Sequence, residues 1–293
     1  MAIALVATPS QAELVAHLDA RLPIAGLFTP GRRPAGPQAP LFTDLTAMLQ
    51  QSGALTCCFL APYVALEKDV RTCLEAGIDV LCAGPLPCSQ KAIDQLLATT
   101  GRNGARLAWG GAYRFSPLFQ ALRQQRSLPS FGSPVYLRQV AGGGHGLLLA
   151  WWALCELLSQ ALELLDARLE AVHLSACRHR GKYHAALTGR TASRAMAQLL
   201  VAPFHPGDLA LLGTGGLLGT NGLAGSAATA TAAGTLLHSS PELRPEAAWL
   251  SAFAQKKDSP VLPERSTHPL HRAILSGLRR ALRQGQPVRV EVP

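Results

Sequence analysis

Through the first 110 residues, short apolar runs alternate with segments whose apolar positions recur every three or four residues. The runs "IALVA" (3–7), "LPIAGLF" (22–28), "ALTCCFLAP" (54–62), "DVLC" (79–82) and "ARLAWGG" (105–111) predict strands. Between them, Ser10-Gln11-Ala12-Glu13 fits a capping box ahead of Leu14, Val15 and Leu18 on one helical face. A short helix is expected over Thr43 to Gln51. Leu66, Val70 and Leu74 define another, closed by Gly77. Ser89 caps a further helix around Ile93, Leu96 and Leu97. Strand–helix alternation at this spacing predicts a doubly wound parallel sheet, a Rossmann-like α/β domain over residues 1–111.

Beyond residue 112 the pattern changes. A helix over 116–126 leads to the strand "PVYLRQV" (134–140), and a long apolar helix follows over 146–165. Strand-like runs then come in close succession at 171–177, 184–190, 196–202 and 209–213. Short connections between successive strands predict a mostly antiparallel open sheet in an α+β domain spanning 112–293. The Gly/Ala/Thr-rich stretch 213–234 reads as a partly mobile segment. A closing helix over 268–284 buries Leu270, Ile274, Leu278 and Leu282 and turns Arg272, Arg279 and Arg283 outward, which reads as a solvated face.

Composition narrows the class. With 48% hydrophobic and 15% charged residues the chain is globular, and "VAGGGHGLLLAWWALC" is glycine-broken and too short for a membrane span. The N-terminus has no basic n-region, so no signal peptide is expected. Seven cysteines without a Cys-x-x-Cys predict reduced thiols and a cytoplasmic protein. Cys57-Cys58 inside a strand reads as two small core residues. The formal charge is +9, from 22 arginines and 5 lysines against 18 acids. Along the sequence these arginines are scattered and lack interleaved aromatics, so the reading is a generic basic surface and not a nucleic-acid module.

Several segments, in this order, resemble landmarks of the Gfo/Idh/MocA family of NAD(P)-dependent sugar and inositol oxidoreductases. "CLEAGIDVLCAGPL" (73–86) is similar to the segment that ends in Glu-Lys-Pro in that family, and "YRFSP" (113–117) to its Arg-x-x-Pro opening of the second domain. "GGGHGLLLAWWALCELL" (142–158) resembles the Gly-rich lead-in to the active-site helix, "LLGTGGLL" (211–218) a late hairpin, and "AILSGLRRALRQGQPV" (273–288) the closing helix. The resemblance implies a dinucleotide-binding first domain, a lysine and a helix histidine for proton handling, and a subunit interface on the open face of the second sheet.

The residues in those slots lack that chemistry. A dinucleotide site wants glycines after the first strand so that backbone N–H groups reach the pyrophosphate, and here the turn is "VATPSQAE". Thr8, Ser10 and Pro62 are the remaining cofactor-side candidates. Thr29-Pro30 stands where NAD binders place an acid, whereas Arg32 and Arg33 suit a 2′-phosphate. The carboxylate and lysine slots hold Ala83 and Gly84. The helix slots hold Leu148, Trp152 and Cys155, with the tryptophans reading as packing or as filling for a sugar pocket. His145 is the candidate replacement acid/base; Lys182, Tyr183 and His184 lie further on in a hairpin. His179 and His184 lack the partners of a metal site.

The first expectation is therefore a non-catalytic relative that acts by binding, as a partner of an oxidoreductase or an assembly factor. It would form a homo-oligomer, or a hetero-oligomer with a paralogous oxidoreductase, with a small-molecule ligand in the interdomain cleft. No cofactor is expected, or NADP if any. The alternative is a divergent NAD(P)H-dependent oxidoreductase acting on a small polyol, sugar or related carbonyl or imine.

Overall fold

The computed structural model describes residues 2–30, 39–63, 65–142, 146–203, 208–221, 226–231, 234–239, 245–255 and 268–292. They form two compact units, Met1–Ala112 with Pro245–His268, and Tyr113–Arg244 with Pro269–Pro293. The sequence boundary at 111/112 misses one exchange: the segment 245–268, expected in the second domain, belongs with the first.

In the first unit, β1 (Ile3–Val6), α1 (Ala12–Asp19), β2 (Ile24–Phe28), β3 (Leu41–Phe42), α2 (Leu45–Ser52) and β4 (Thr56–Phe59) lead on to α3 (Leu66–Glu75), β5 (Asp79–Cys82), α4 (Gln90–Asn103) and β6 (Leu107–Trp109). The six strands are parallel in the order β3-β2-β1-β4-β5-β6. This is the doubly wound order, with its reversal between β1 and β4. Every residue of β1, β4 and β5 is buried, so both sheet faces are covered. That explains why these strands read as continuous apolar runs without alternation. Cys57 and Cys58 are both fully buried in β4, as small core residues. Ser89 caps α4 by accepting from Ala92 N–H at 3.1 Å.

The second unit opens with α5 (Pro117–Arg126), β7 (Pro134–Ala141) and α6 (Leu147–Leu165), then β8 (Leu169–His179), β9 (Lys182–Thr191), β10 (Met196–Val201) and β11 (Asp208–Gly213). The stretch 213–234, read as partly mobile, holds β12 (Gly216–Asn221) and β13 (Ser226–Thr231), and with the following β14 (Gly234–Ser239) these pair as an antiparallel meander. Its Ala, Thr, Ser and Gly residues give no apolar alternation to read, yet the residues of the three strands find ladder partners.

The chain then returns to the first unit for α7 (Pro245–Ala254), which packs on α1 and β5. Arg106, beside β6, anchors it: Nη2 donates to Phe253 O at 2.6 Å, and the guanidinium lies 4.4 Å over the Phe253 ring. Last come α8 (His268–Gln284), over the predicted range, and the edge strand β15 (Val288–Val290). The second sheet has nine strands in the order β14-β13-β12-β11-β7-β10-β9-β8-β15. Only the β7–β10 pair is parallel, so the sheet is mixed and mostly antiparallel.

One face of this sheet is covered by helices. Val172, Leu174, Leu187, Leu199 and Val201 line that face, and all are buried. At Gly277 of α8 an added Cβ would lie 2.8 Å from Val290 and 3.1 Å from Leu174, so glycine lets this helix sit close on β8 and β15. By length and composition α6, at 19 residues, could cross a membrane, contrary to the sequence reading. It is instead the core helix of the unit, with Trp151, Leu154, Leu158 and Leu164 buried. Trp151 Nε1 donates to His271 O of α8 at 2.8 Å.

Candidate functional site

In a doubly wound sheet the connections leaving β1 and β4 diverge to opposite faces, opening a crevice beyond their C-terminal ends. The register Val6↔Phe59 brings the β1–α1 turn and the β4–α3 segment side by side there. Thr8 and Ser10 lie on the first of these connections and Pro62 on the second. The helix start lies earlier than predicted. Thr8, not Ser10, is the N-cap of a short 3-10 turn over Pro9–Gln11, and Gln11 closes the capping box. Proline at the first helical position has a fixed φ and no N–H to satisfy, which moves the start forward.

Gln11 is the central side chain of this turn. Its Oε1 accepts from Thr8 N–H at 3.1 Å, and its Nε2 donates to Leu60 O at the end of β4. One amide thus bridges the two strands that flank the crevice. Two further turn donors are also used internally: Gln11 N–H meets Thr8 O at 3.0 Å, and Ala12 N–H meets Pro9 O. A pyrophosphate needs free N–H groups converging at this point. Thr8, Gln11 and Ala12 have already committed theirs and Pro9 has none. These three N–H groups are therefore not presented to a dinucleotide's pyrophosphate.

Around the crevice the remaining slots are apolar or tied. Thr29, after β2, is buried, and its Oγ1 has no hydrogen-bond partner among the described residues. Arg32 and Arg33 lie outside the described residues. Pro62 is buried, and the neighbouring Tyr63 donates its hydroxyl to Asp69 Oδ2 at 2.6 Å. Burial, and next that bond to a carboxylate, push the Tyr63 phenol far above its usual range, so it holds its proton.

The β5–α4 loop, where the lysine would stand, contains buried Gly84 and Pro85. It is braced by a residue that sequence reasoning missed. His268 is fully buried, with Nδ1 3.0 Å from Gln90 Oε1, Nε2 3.3 Å from Leu86 O, and its ring edge-on to Trp109. Gln90 Nε2 in turn donates to Asp94 Oδ1 at 3.0 Å. His268 lies 178 positions from Gln90 in the chain, so no local pattern could pair them.

No protein-family model matches the sequence, and no curated protein matches it. Solved structures do match its fold. UDP-N-acetylglucosamine 3-dehydrogenase from Acidithiobacillus ferrooxidans is 16% identical, with 97% of this chain and 98% of that one covered and a TM-score of 0.76. An Agrobacterium radiobacter oxidoreductase, solved with NAD+, L-tartaric acid and magnesium, is 15% identical over 98% of both chains, with a TM-score of 0.74. GenD2 from gentamicin A biosynthesis, solved with NAD, is 18% identical over 99% of this chain and 96% of that one, with a TM-score of 0.72. The chain has the Gfo/Idh/MocA fold.

Within this fold the second unit presents α6 where the resemblance places the acid/base histidine. Trp152 and Cys155 in those slots are buried. Burial pushes the Cys155 thiol well above its usual pKa, so it is not ionised near neutral pH. His145 lies outside the described residues. Lys182, Tyr183 and His184 begin β9, paired with His179, Arg178 and Cys177 at the far end of the β8–β9 hairpin. Among the described residues no cluster of three or more His, Cys, Asp or Glu could hold a metal ion.

One motif of the resemblance, "YRFSP", serves structure. Arg114 of "YRFSP" donates from Nε to Glu163 Oε2 on α6 at 2.9 Å, Arg123 meets Oε1 at 2.9 Å, and Tyr113 reaches Oε2 at 3.2 Å. Glu163 therefore holds the start of α5 against the core helix.

Proposed function

We propose that this protein keeps the Gfo/Idh/MocA fold as a binding scaffold and does not use it for hydride transfer. The observation that carries this reading is the Gln11 bridge from Thr8 N–H to Leu60 O, which occupies the Thr8 N–H at the turn where a dinucleotide's pyrophosphate would bind. Ala83 and Gly84 in the carboxylate and lysine slots, and Trp152 in the histidine slot, agree with it. Proton transfer needs a titratable group beside the reacting carbon.

Binding is proposed to occur between copies, or with a paralogous oxidoreductase, through the uncovered face of the nine-stranded sheet. Leu217, Leu212, Tyr136 and Met196 are consecutive cross-strand partners there. Leu212, Leu217 and Met196 are each more than two-fifths exposed, which leaves an apolar row in water.

A second reading, a divergent NAD(P)H-dependent oxidoreductase, draws on the buried and unpartnered Thr29 hydroxyl at the end of β2. That strand end meets the ribose in dinucleotide-binding sheets. Two neighbours in fold were solved with NAD+ or NAD. The two readings part in one assay: wild type, Gly84→Lys and Gly84→Lys/Trp152→His against a panel of sugars and polyols with either nicotinamide cofactor. The scaffold reading expects no turnover from any of the three, because residues that act as a unit are not restored singly. Turnover by the wild type, abolished in His145→Ala, overturns it.

A further inference from the structure

The net charge of the chain is not spread over the molecule. The first unit carries 11 Lys and Arg and 11 Asp and Glu, and the second carries 16 against 7. The whole excess of +9 therefore resides in the second unit. Much of it is concentrated on one element: α8 contains no acidic residue, and Arg272, Arg279, Arg280 and Arg283 are all exposed. At 3.6 residues per turn, Arg272, Arg279 and Arg283 fall within about 40° of one another, with Arg280 on the flank. Arg280 leans toward the sheet edge, where Nη2 donates to Arg289 O of β15 at 2.9 Å, and Arg289 itself is exposed.

Elsewhere in the unit four arginines are matched, whereas Arg168, Arg178, Arg180, Arg190 and Arg194, on and around β8 and β9, have no acidic partner among the described residues; the α8 arginines differ from these in sharing one helix face. Arg114 and Arg123 take Glu163, Arg126 takes Asp166 and Arg138 takes Asp208. None of the five arginines of α8 and β15 has an acidic partner among the described residues; exposed Glu291, two positions beyond Arg289, is the nearest acid in sequence. The negative end of the helix dipole favours Arg283, but its effect fades within the last turn and gives no reason for Arg272.

We propose that the α8–β15 edge of the second unit docks on the phosphodiester backbone of a nucleic-acid duplex. The chemistry of the stripe selects that occupant over an acidic protein. Protein interfaces place apolar or aromatic anchors at a centre depleted of charge, whereas duplex interfaces are polar and strongly positive. The exposed positions of α8 between Arg272 and Gln284 are Ser276 and arginines, with no apolar anchor. Arginine also offers a planar fork that grips phosphate oxygens in pairs. From Arg272 to Arg283 the helix rises about 16 Å, the axial span of roughly five phosphates of one strand. With no aromatic on this face for stacking, the contact is to the backbone and independent of base sequence. The state of the dinucleotide crevice has no bearing on this edge, and α8 packs on the sheet face opposite the apolar row.

The test is fluorescence anisotropy of a labelled duplex of arbitrary sequence, about two helical turns long, titrated with the full-length protein over a range of salt. Log affinity should fall with log salt with a slope of about −4 to −5, near 0.9 per phosphate contact. Arg272→Gln/Arg279→Gln/Arg283→Gln leaves the Arg280 contact to the sheet edge in place. It should weaken binding at least about tenfold and flatten the slope by about 2 to 3. Lys68→Gln/Lys91→Gln/Arg102→Gln removes the same charge from the first unit and should change affinity less than about twofold. Equal losses from the two triple variants would overturn the proposal, as would no binding at low salt. Competition by polyglutamate as strong, charge for charge, as by unlabelled duplex would assign the edge to an acidic polypeptide instead and overturn it too.

Discussion

Asp79 and Arg106 are tied by three hydrogen bonds: Arg106 N–H to Oδ1 at 2.8 Å, Nε to Oδ2 at 3.0 Å and Nη2 to Oδ2 at 2.7 Å. The carboxylate, at the start of β5, fixes both the backbone ahead of β6 and the guanidinium that holds α7. Asp79→Ala should therefore cost about 2 to 4 kcal/mol, since it strands a partly buried guanidinium and an amide together. Urea unfolding measures this. Phe253→Ala, which removes the ring under Arg106 and leaves the ion pair in place, should instead act mainly as a core truncation, and the two losses should couple in a double-mutant cycle.

The buried thiols make stability fall in alkali. Desolvation raises Cys57, Cys58, Cys82 and Cys155 above the usual thiol pKa, so they stay protonated in the folded chain while the unfolded chain ionises. Above the unfolded thiol pKa the native state binds more protons, and stability declines as pH rises. The loss should be about 1.4 kcal/mol per thiol for each pH unit beyond about 8.5. At neutral pH a thiol-specific reagent should label one cysteine, exposed Cys177, until denaturant is added. Rapid labelling of several cysteines in the native protein would contradict this.

Much of the scaffold was legible because burial and periodicity coincide in it. The five longer strands of the first sheet are apolar runs, and α8 carries its apolar stripe over the predicted residues. What escaped was set by contacts distant in sequence or by residues without a hydropathy signal. The two-residue β3 and three-residue β15 exist only as partners of longer strands. The Ala/Thr/Gly meander pairs through its backbone. At the site, the empty lysine slot could be read directly, since it needs only residue identity. The Gln11–Leu60 bridge could not, because it depends on the register of β1 against β4 over 49 positions. The assignment of Ser10 as the cap failed for a local reason, the proline at position 9.

If the apolar row on the open sheet joins copies, the wild type should scatter light as a dimer or larger species at micromolar concentration. Leu212→Glu should shift it to monomer without loss of helical signal, since that side chain is exposed and faces no core. A wild type that stays monomeric across a wide concentration range would remove this interface.

On the scaffold reading the first unit does not take a nicotinamide dinucleotide, because the N–H groups of Thr8, Gln11 and Ala12 are bonded within the turn. Isothermal titration of the purified wild type with NADH and with NADPH tests this. The expected result is no saturable heat up to about 1 mM of either cofactor, a binding free energy weaker than about −4 kcal/mol. Micromolar binding of either, or a protein purified with the dinucleotide already bound, would contradict it.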